Sequence, residues 1–180
     1  ADISYLNNEC FSLFRQLMEL GGGGGGGGGA SKEDVIAKMV VDFLERLPGE
    51  FNLFDIKSRI GPAENLTPYL VVMLQECEKM NILLTTMRKS LGDLQLGLQG
   101  ALNISEAMDK MMTSMFLDQI PAMWEKQAWR TLKTLPMWFA DVLERITQLT
   151  NWSESLKMPP SVWLAGTANP MAFVTAVMQT

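Results

Sequence analysis

Apolar residues recur along this chain in steps of three and four, the spacing of one buried face of an α-helix. Ile3, Leu6, Cys10, Leu13 and Leu17 define a first helix over Asp2–Leu20, with Asp2 placed to cap it. Nine consecutive glycines, Gly21–Gly29, then interrupt the pattern. Such a run loses too much backbone freedom to order as a helix or central strand, and as a loop it covers roughly 15–18 Å. The pattern resumes at Ser31, with Asp34 three residues on in a weaker form of the capping box. Val35, Met39, Phe43 and Leu47 form the stripe, flanked by Ile36, Val40 and Leu44, and Pro48-Gly49 ends it. Phe54–Arg59 is expected to make one or two helical turns before Gly61-Pro62.

The longest periodic segment follows. Thr67 is placed as an N-cap and Pro68 suits the first helical position, where a missing N–H costs nothing. Leu70, Met73/Leu74, Cys77, Met80/Asn81, Leu84, Met87/Arg88 and Leu91 keep the helical period, while Glu76, Glu78, Lys79 and Lys89 lie off the stripe. The helix is expected to reach at least Ser90, and about 23 residues would make a rod of about 35 Å. Leu94, Leu96 and Leu98 lose the rhythm beside Gly92, Gly97 and Gly100, which predicts a bend at Gly92. Ser105 caps a further helix bearing Met108, Met111, Met112, Met115 and Phe116. Pro121 opens a short one with Trp124 and Ala128. Thr134 and Pro136 begin another, with Phe139, Val142, Leu143, Ile146 and Leu149 facing inward and Asp141, Glu144, Arg145 and Gln148 facing away. Pro159-Pro160 break that pattern, "SVWLAG" predicts a short strand, and Asn169-Pro170 restarts a helix with Phe173, Val174 and Val177. The pattern is still running at Thr180 and begins abruptly at Ala1, so a piece of a larger protein is expected. The fold class is mainly α: a helical bundle, then a truncated helical region with at most one short strand.

Composition narrows the function classes. Among 180 residues, 47% are hydrophobic and 19% charged, enough for a core and unlike a disordered chain. The formal charge of -5 and scattered basic residues argue against nucleic acid as a partner. No apolar run approaches the ~20 residues that span a bilayer, and no signal peptide is recognisable, so no membrane partner is expected. Histidine is absent, which removes the usual general base and the commonest zinc ligand. Cys10 and Cys77 sit in helical patterns and are expected as buried free thiols. Cys77 has no histidine partner for a nucleophile pair.

Other candidates are also read as structural. The carboxylate neighbours Glu33/Asp34 and Glu76/Glu78 point in different directions on a helix and are expected as solvated charge, Glu76 pairing with Lys79 at the surface. Arg59, Arg88, Arg130 and Arg145, the residues that could reach a nucleotide phosphate, are expected to face solvent or form ion pairs. Met108, Met111 and Met115 are expected to fill a core, and Trp124, Trp129, Trp138, Trp152 and Trp163 to anchor helix packing. No catalytic, cofactor or metal residues are assigned.

The segment "TPYLVVMLQECEKMNILLTTMRKSLGDLQLGLQG", Thr67–Gly100, closely resembles the axonemal dynein heavy chains near their C-terminal end, with an outer-arm, β-type character. "ADISYL" and "IPAMWEKQAW" resemble the start and end of the small helical lid of the sixth AAA+ module. "LPMWFADVLERITQLTNW" and "PPSVWLAGTANPMAFVTAVMQT" resemble the opening of the dynein C-terminal region. The resemblance implies residues 1–133 as the lid, with the glycine loop 21–29 at a position variable in the family, and 134–180 as the start of the C-terminal region. Lys79 and Gln99 depart from the usual Arg and Lys, and Thr167 and Ala168 lack two aromatic side chains, so packing there is expected to be lighter or shielded by another group. The implied parent is an ATP-driven, minus-end-directed microtubule motor of the ciliary and flagellar axoneme, with ATP and Mg in other modules. The fragment is then a non-catalytic mechanical part without a cofactor. Its implied partners are the neighbouring modules of the same heavy chain and other dynein arm subunits. The alternative is an interaction module that binds an accessory dynein chain through Met/Trp-rich faces.

Overall fold

The computed structural model describes residues 31–158 and 161–179. The expected first helix, the glycine loop, Cys10 and Pro159-Pro160 lie outside them. Within these bounds the chain forms α1 (Lys32–Arg46), α2 (Leu53–Ile60), α3 (Pro68–Leu98), α4 (Glu106–Phe116), α5 (Ala122–Glu125), α6 (Leu135–Ser155) and α7 (Pro170–Gln179), with 3₁₀ turns at Ala63–Asn65 and Leu164–Gly166.

Local chemistry sets most of the helix starts. Ser31 and Asp34 form a full reciprocal capping box at α1. Asn52 caps α2 through the Asp55 amide, and Ser105 caps α4 through Met108 N. Thr67 and Thr134 occupy the N-cap positions of α3 and α6 without a side-chain cap bond; each is followed by a proline in the first turn, whose fixed φ already suits a helix.

α3 is the spine of the fold, 31 residues long and roughly 46 Å at the standard rise. It packs against each of the other helices. The predicted side is buried from Leu70 through Met73, Cys77, Leu84 and Met87 to Leu91. The expected loss of rhythm at Gly92 is corrected: α3 continues unbroken to Leu98. Leu94 follows Met87 and Leu91 on the inner side and is fully buried, so the exposed Leu96 only mimicked alternation. Gly97 has a packing reason, since a Cβ there would lie 2.9 Å from Met108 Cε.

The expected strand over "SVWLAG" is also corrected. Residues 164–166 form a 3₁₀ turn and no strand occurs among the described residues. A lone strand would leave its ladder unpaired, whereas the turn closes Gly166 N onto Trp163 O at 2.8 Å. Gly166 allows this closure, because a Cβ would meet the Trp163 ring at 2.5 Å.

The core contains the expected methionines and three of the five expected tryptophans, Trp129 being half-buried and Trp163 exposed. Met108, Met111, Met115, Trp124, Trp138 and Trp152 are buried. Phe43 stacks on Phe139 at 4.2 Å between centroids, and Trp124 on Trp138 at 5.9 Å. Trp152 meets Phe173 edge-on at 5.3 Å, seating α7.

Candidate functional site

Polar side chains of α3 and α6 hold two loops against the spine. On one flank of α3, Asn81 pairs with both backbone groups of Phe51, accepting from its N–H at 2.7 Å and donating to its carbonyl at 2.8 Å. One turn on, Thr85 donates to Glu50, and Arg88 donates to the Leu47 and Pro48 carbonyls at the end of α1. Arg88 is thus committed to capping a helix terminus, where a cation also complements the dipole.

The second grip is buried and charged. Glu76, expected as solvated surface charge, is 4% exposed. Its carboxylate accepts from the Ala168 and Asn169 amides, the latter at 2.9 Å. The correction has a clear reason: its partners lie 92 and 93 residues away, where helical spacing around Glu76 carries no information. A carboxylate beside the first turn of α7 also meets the positive end of that helix. Glu33 and Asp34 remain exposed, as expected, with Asp34 in the α1 cap.

Arg145, expected to face away from the core, is 3% exposed. Its guanidinium lies 3.3 Å from the centroid of Trp129 and 5.0 Å from that of Trp163, and Nη2 donates to the Ala165 carbonyl. A flat, weakly hydrated cation suits such a site better than an ammonium. Burial lowers its pKa to about 10, against the opposing pull of Asp141 and Glu76, so it stays charged at neutral pH. The other arginines fit the expectation in part. Arg59 pairs with Asp55 at 3.0 Å and Arg130 is exposed, but Arg88 holds carbonyls rather than a carboxylate.

Gln148, one turn beyond Arg145, accepts from Trp163 N at 2.9 Å. Three side chains from two helices thus hold consecutive points of residues 163–169: Gln148 at Trp163, Arg145 at Ala165 and Glu76 at Ala168-Asn169. Trp163 covers Gly166 and Thr167 is buried with its hydroxyl on Leu164 O, whereas Ala168 is exposed, so the missing aromatic pair is shielded at Thr167 and leaves lighter packing at Ala168. An aromatic row, Phe43, Trp124, Trp138 and Trp129, runs from α1 to Arg145.

Cys77, beside Glu76, is fully buried. Burial, reinforced by the Glu76 carboxylate, pushes its thiol up to about 12, so it stays protonated at neutral pH and lacks the thiolate a nucleophile needs. No cluster of candidate metal ligands occurs among the described residues, and no helix there is long and apolar enough to cross a membrane.

These features define a helical module in which buried charges tie loops to a long central helix. The family model for the C-terminal domain of dynein heavy chains matches residues 7–180. The ciliary dynein beta chain of Heliocidaris crassispina is 45% identical over 182 residues, which cover 99% of this chain and 4% of that protein. Human dynein axonemal heavy chain 17 is 39% identical over 182 residues, again 99% and 4%. The flagellar outer arm dynein beta chain of Chlamydomonas reinhardtii is 36% identical over 180 residues, also 99% and 4%. The chain belongs to the dynein heavy chain family and is similar to its axonemal members. It spans about 4% of the length of these relatives.

Proposed function

We propose that this chain is a non-catalytic mechanical part of an axonemal dynein heavy chain, in a motor that walks on microtubules with ATP hydrolysed in other modules. Residues 1–133 correspond in this reading to the lid of the sixth AAA+ module and 134–180 to the start of the C-terminal region. Its place is then the cytoskeleton of the ciliary or flagellar axoneme, among neighbouring ring modules and other arm subunits. The single observation that carries the reading is α3, one uninterrupted rod packed against each of the other helices. A rod with a close-packed apolar side moves as a body and passes displacement to whatever it touches. The alternative, capture of an accessory chain through Met/Trp faces, loses Met108, Met111, Met115, Trp124, Trp138 and Trp152 to the core and would have to use Met171 and Met178, which stand exposed on α7.

The test is a full-length heavy chain with Leu84→Ala and Leu91→Ala together in this segment, both fully buried on α3. Microtubule gliding is expected to fall several-fold more than basal ATP turnover, because the rod softens while the hydrolysing site is untouched. Gliding and turnover falling in parallel, or saturable binding of an ATP analogue to the 180-residue chain itself, would overturn the reading.

A further inference from the structure

We propose that residues 163–179 form a detachable strap, latched to α3 and α6 by the buried side chains of Glu76 and Arg145, which opens as a unit while the rest of the core stays folded. Three observations lead there. First, α7 buries only Phe173 and Ala176, whereas α3 buries residues along its whole length. Ala172 and Val177 add half-buried contact on the same side, and apolar packing confined to one side of so short a helix offsets only part of the chain entropy of fixing a 3₁₀ turn and a helix. Second, α7 has its own local cap, since Asn169 Oδ1 accepts from Ala172 N at 3.1 Å. Glu76 is therefore not needed to start the helix. Its oxygens take the two amides just upstream and so fix where the helix sits. Third, the holds fall in sequence along one short stretch and come from two different helices: Gln148 and Arg145 from α6, Glu76 from α3.

The chemistry makes the attachment all-or-none. Ala165 O and the Ala168 and Asn169 amides bond opposite charges that are both buried, and Arg145 Nε has no hydrogen-bond partner beyond the Trp129 ring face. Lifting one end leaves the charge at the other end in a loosened site, so the two holds release together. The guanidinium between Trp129 and Trp163 adds a directional contact that slides poorly. The outward side of α7 carries Met171 and Met178, 72% and 83% exposed. Opening therefore swings a helix with apolar groups on both sides. The latch belongs to this chain alone and stands or falls separately from the relay reading.

Hydrogen exchange read by mass spectrometry on the 180-residue chain tests it, comparing the parent with Glu76→Gln, Arg145→Met, the double variant and Gln148→Ala. In each single charge variant, amides of 164–179 should exchange roughly tenfold faster or more, while those of 70–94 keep their protection. The double variant should add less than the sum of the singles, because each single change strands the other charge. Gln148 lies nearer the surface, and its change should give the same local pattern more weakly; it decides the matter should a charge variant fail to fold. Protection lost equally from strap and spine would show ordinary core residues and overturn the latch, as would unchanged exchange over 164–179.

Discussion

Burial decides what each ionisable side chain here can do, and Cys77 shows it most simply. A thiol whose folded pKa lies above its unfolded value stays protonated in the folded chain while the unfolded chain ionises. It therefore has no effect on stability well below pH 9, and stability is lost as pH climbs from the unfolded value of 9.0 toward about 12. The expected slope reaches about 1.4 kcal/mol per pH unit. Arg145 has the opposite sign, since its lowered value relieves a burial cost only as pH passes about 10. In a Cys10→Ser background, urea midpoints at pH 8 and pH 10 should therefore diverge more for the parent than for Cys77→Ala. Equal losses in both would mean that the thiol ionises freely in the folded chain. Cys77 was legible as a buried thiol because its apolar neighbours follow in helical steps. Glu76 and Arg145 were not legible, for their partners are backbone atoms in a segment far along the chain, and no spacing rule looks that far.

Elements were more legible than residues, since a helix is specified by a period and two ends that lie close in sequence. Ser31, Ser105 and Pro170 mark helix starts by chemistry that acts within one turn. The errors came where tertiary packing overrode a short pattern. Alternating Leu94, Leu96 and Leu98 imitated a change of rhythm, and apolar "SVWLAG" imitated a strand until Gly166 let the Trp163 ring fold back on the chain. α3 keeps a weak point nonetheless. Gly92 sits inside it, and a Cβ there would meet nothing within 4 Å. Gly92→Ala is therefore expected to stabilise the chain by about 0.5–1 kcal/mol, through lower backbone entropy in the unfolded state. Chemical denaturation checks this; a lower midpoint would mean that the helix uses its glycine to bend. Gly166→Ala should do the reverse, because the added atom has no room beside the Trp163 ring.

At the scale of the molecule, packing quality and surface character point in different directions. Trp124, Trp138 and Trp152 are held in fixed ring-on-ring geometry, so the 180-residue chain should give a sharp near-ultraviolet dichroism signal rather than the blank of a molten state. The outer side of α7 is different. Met171, Val174 and Met178 stand exposed at helical spacing, with Leu132 and Phe54 exposed on other elements. A net charge of -5 is modest opposition to contact between such surfaces. The isolated chain is therefore expected to self-associate reversibly while keeping its tertiary signal, and sedimentation velocity at rising concentration should show the average mass increasing. Met171→Gln with Met178→Gln should lower that association without changing the dichroism, because both side chains lie outside the core. A monomer at every concentration would refute the association, and association indifferent to these two changes would place the apolar contact elsewhere. An ordered core under an apolar outer helix fits the proposed seat among neighbouring parts of a dynein heavy chain.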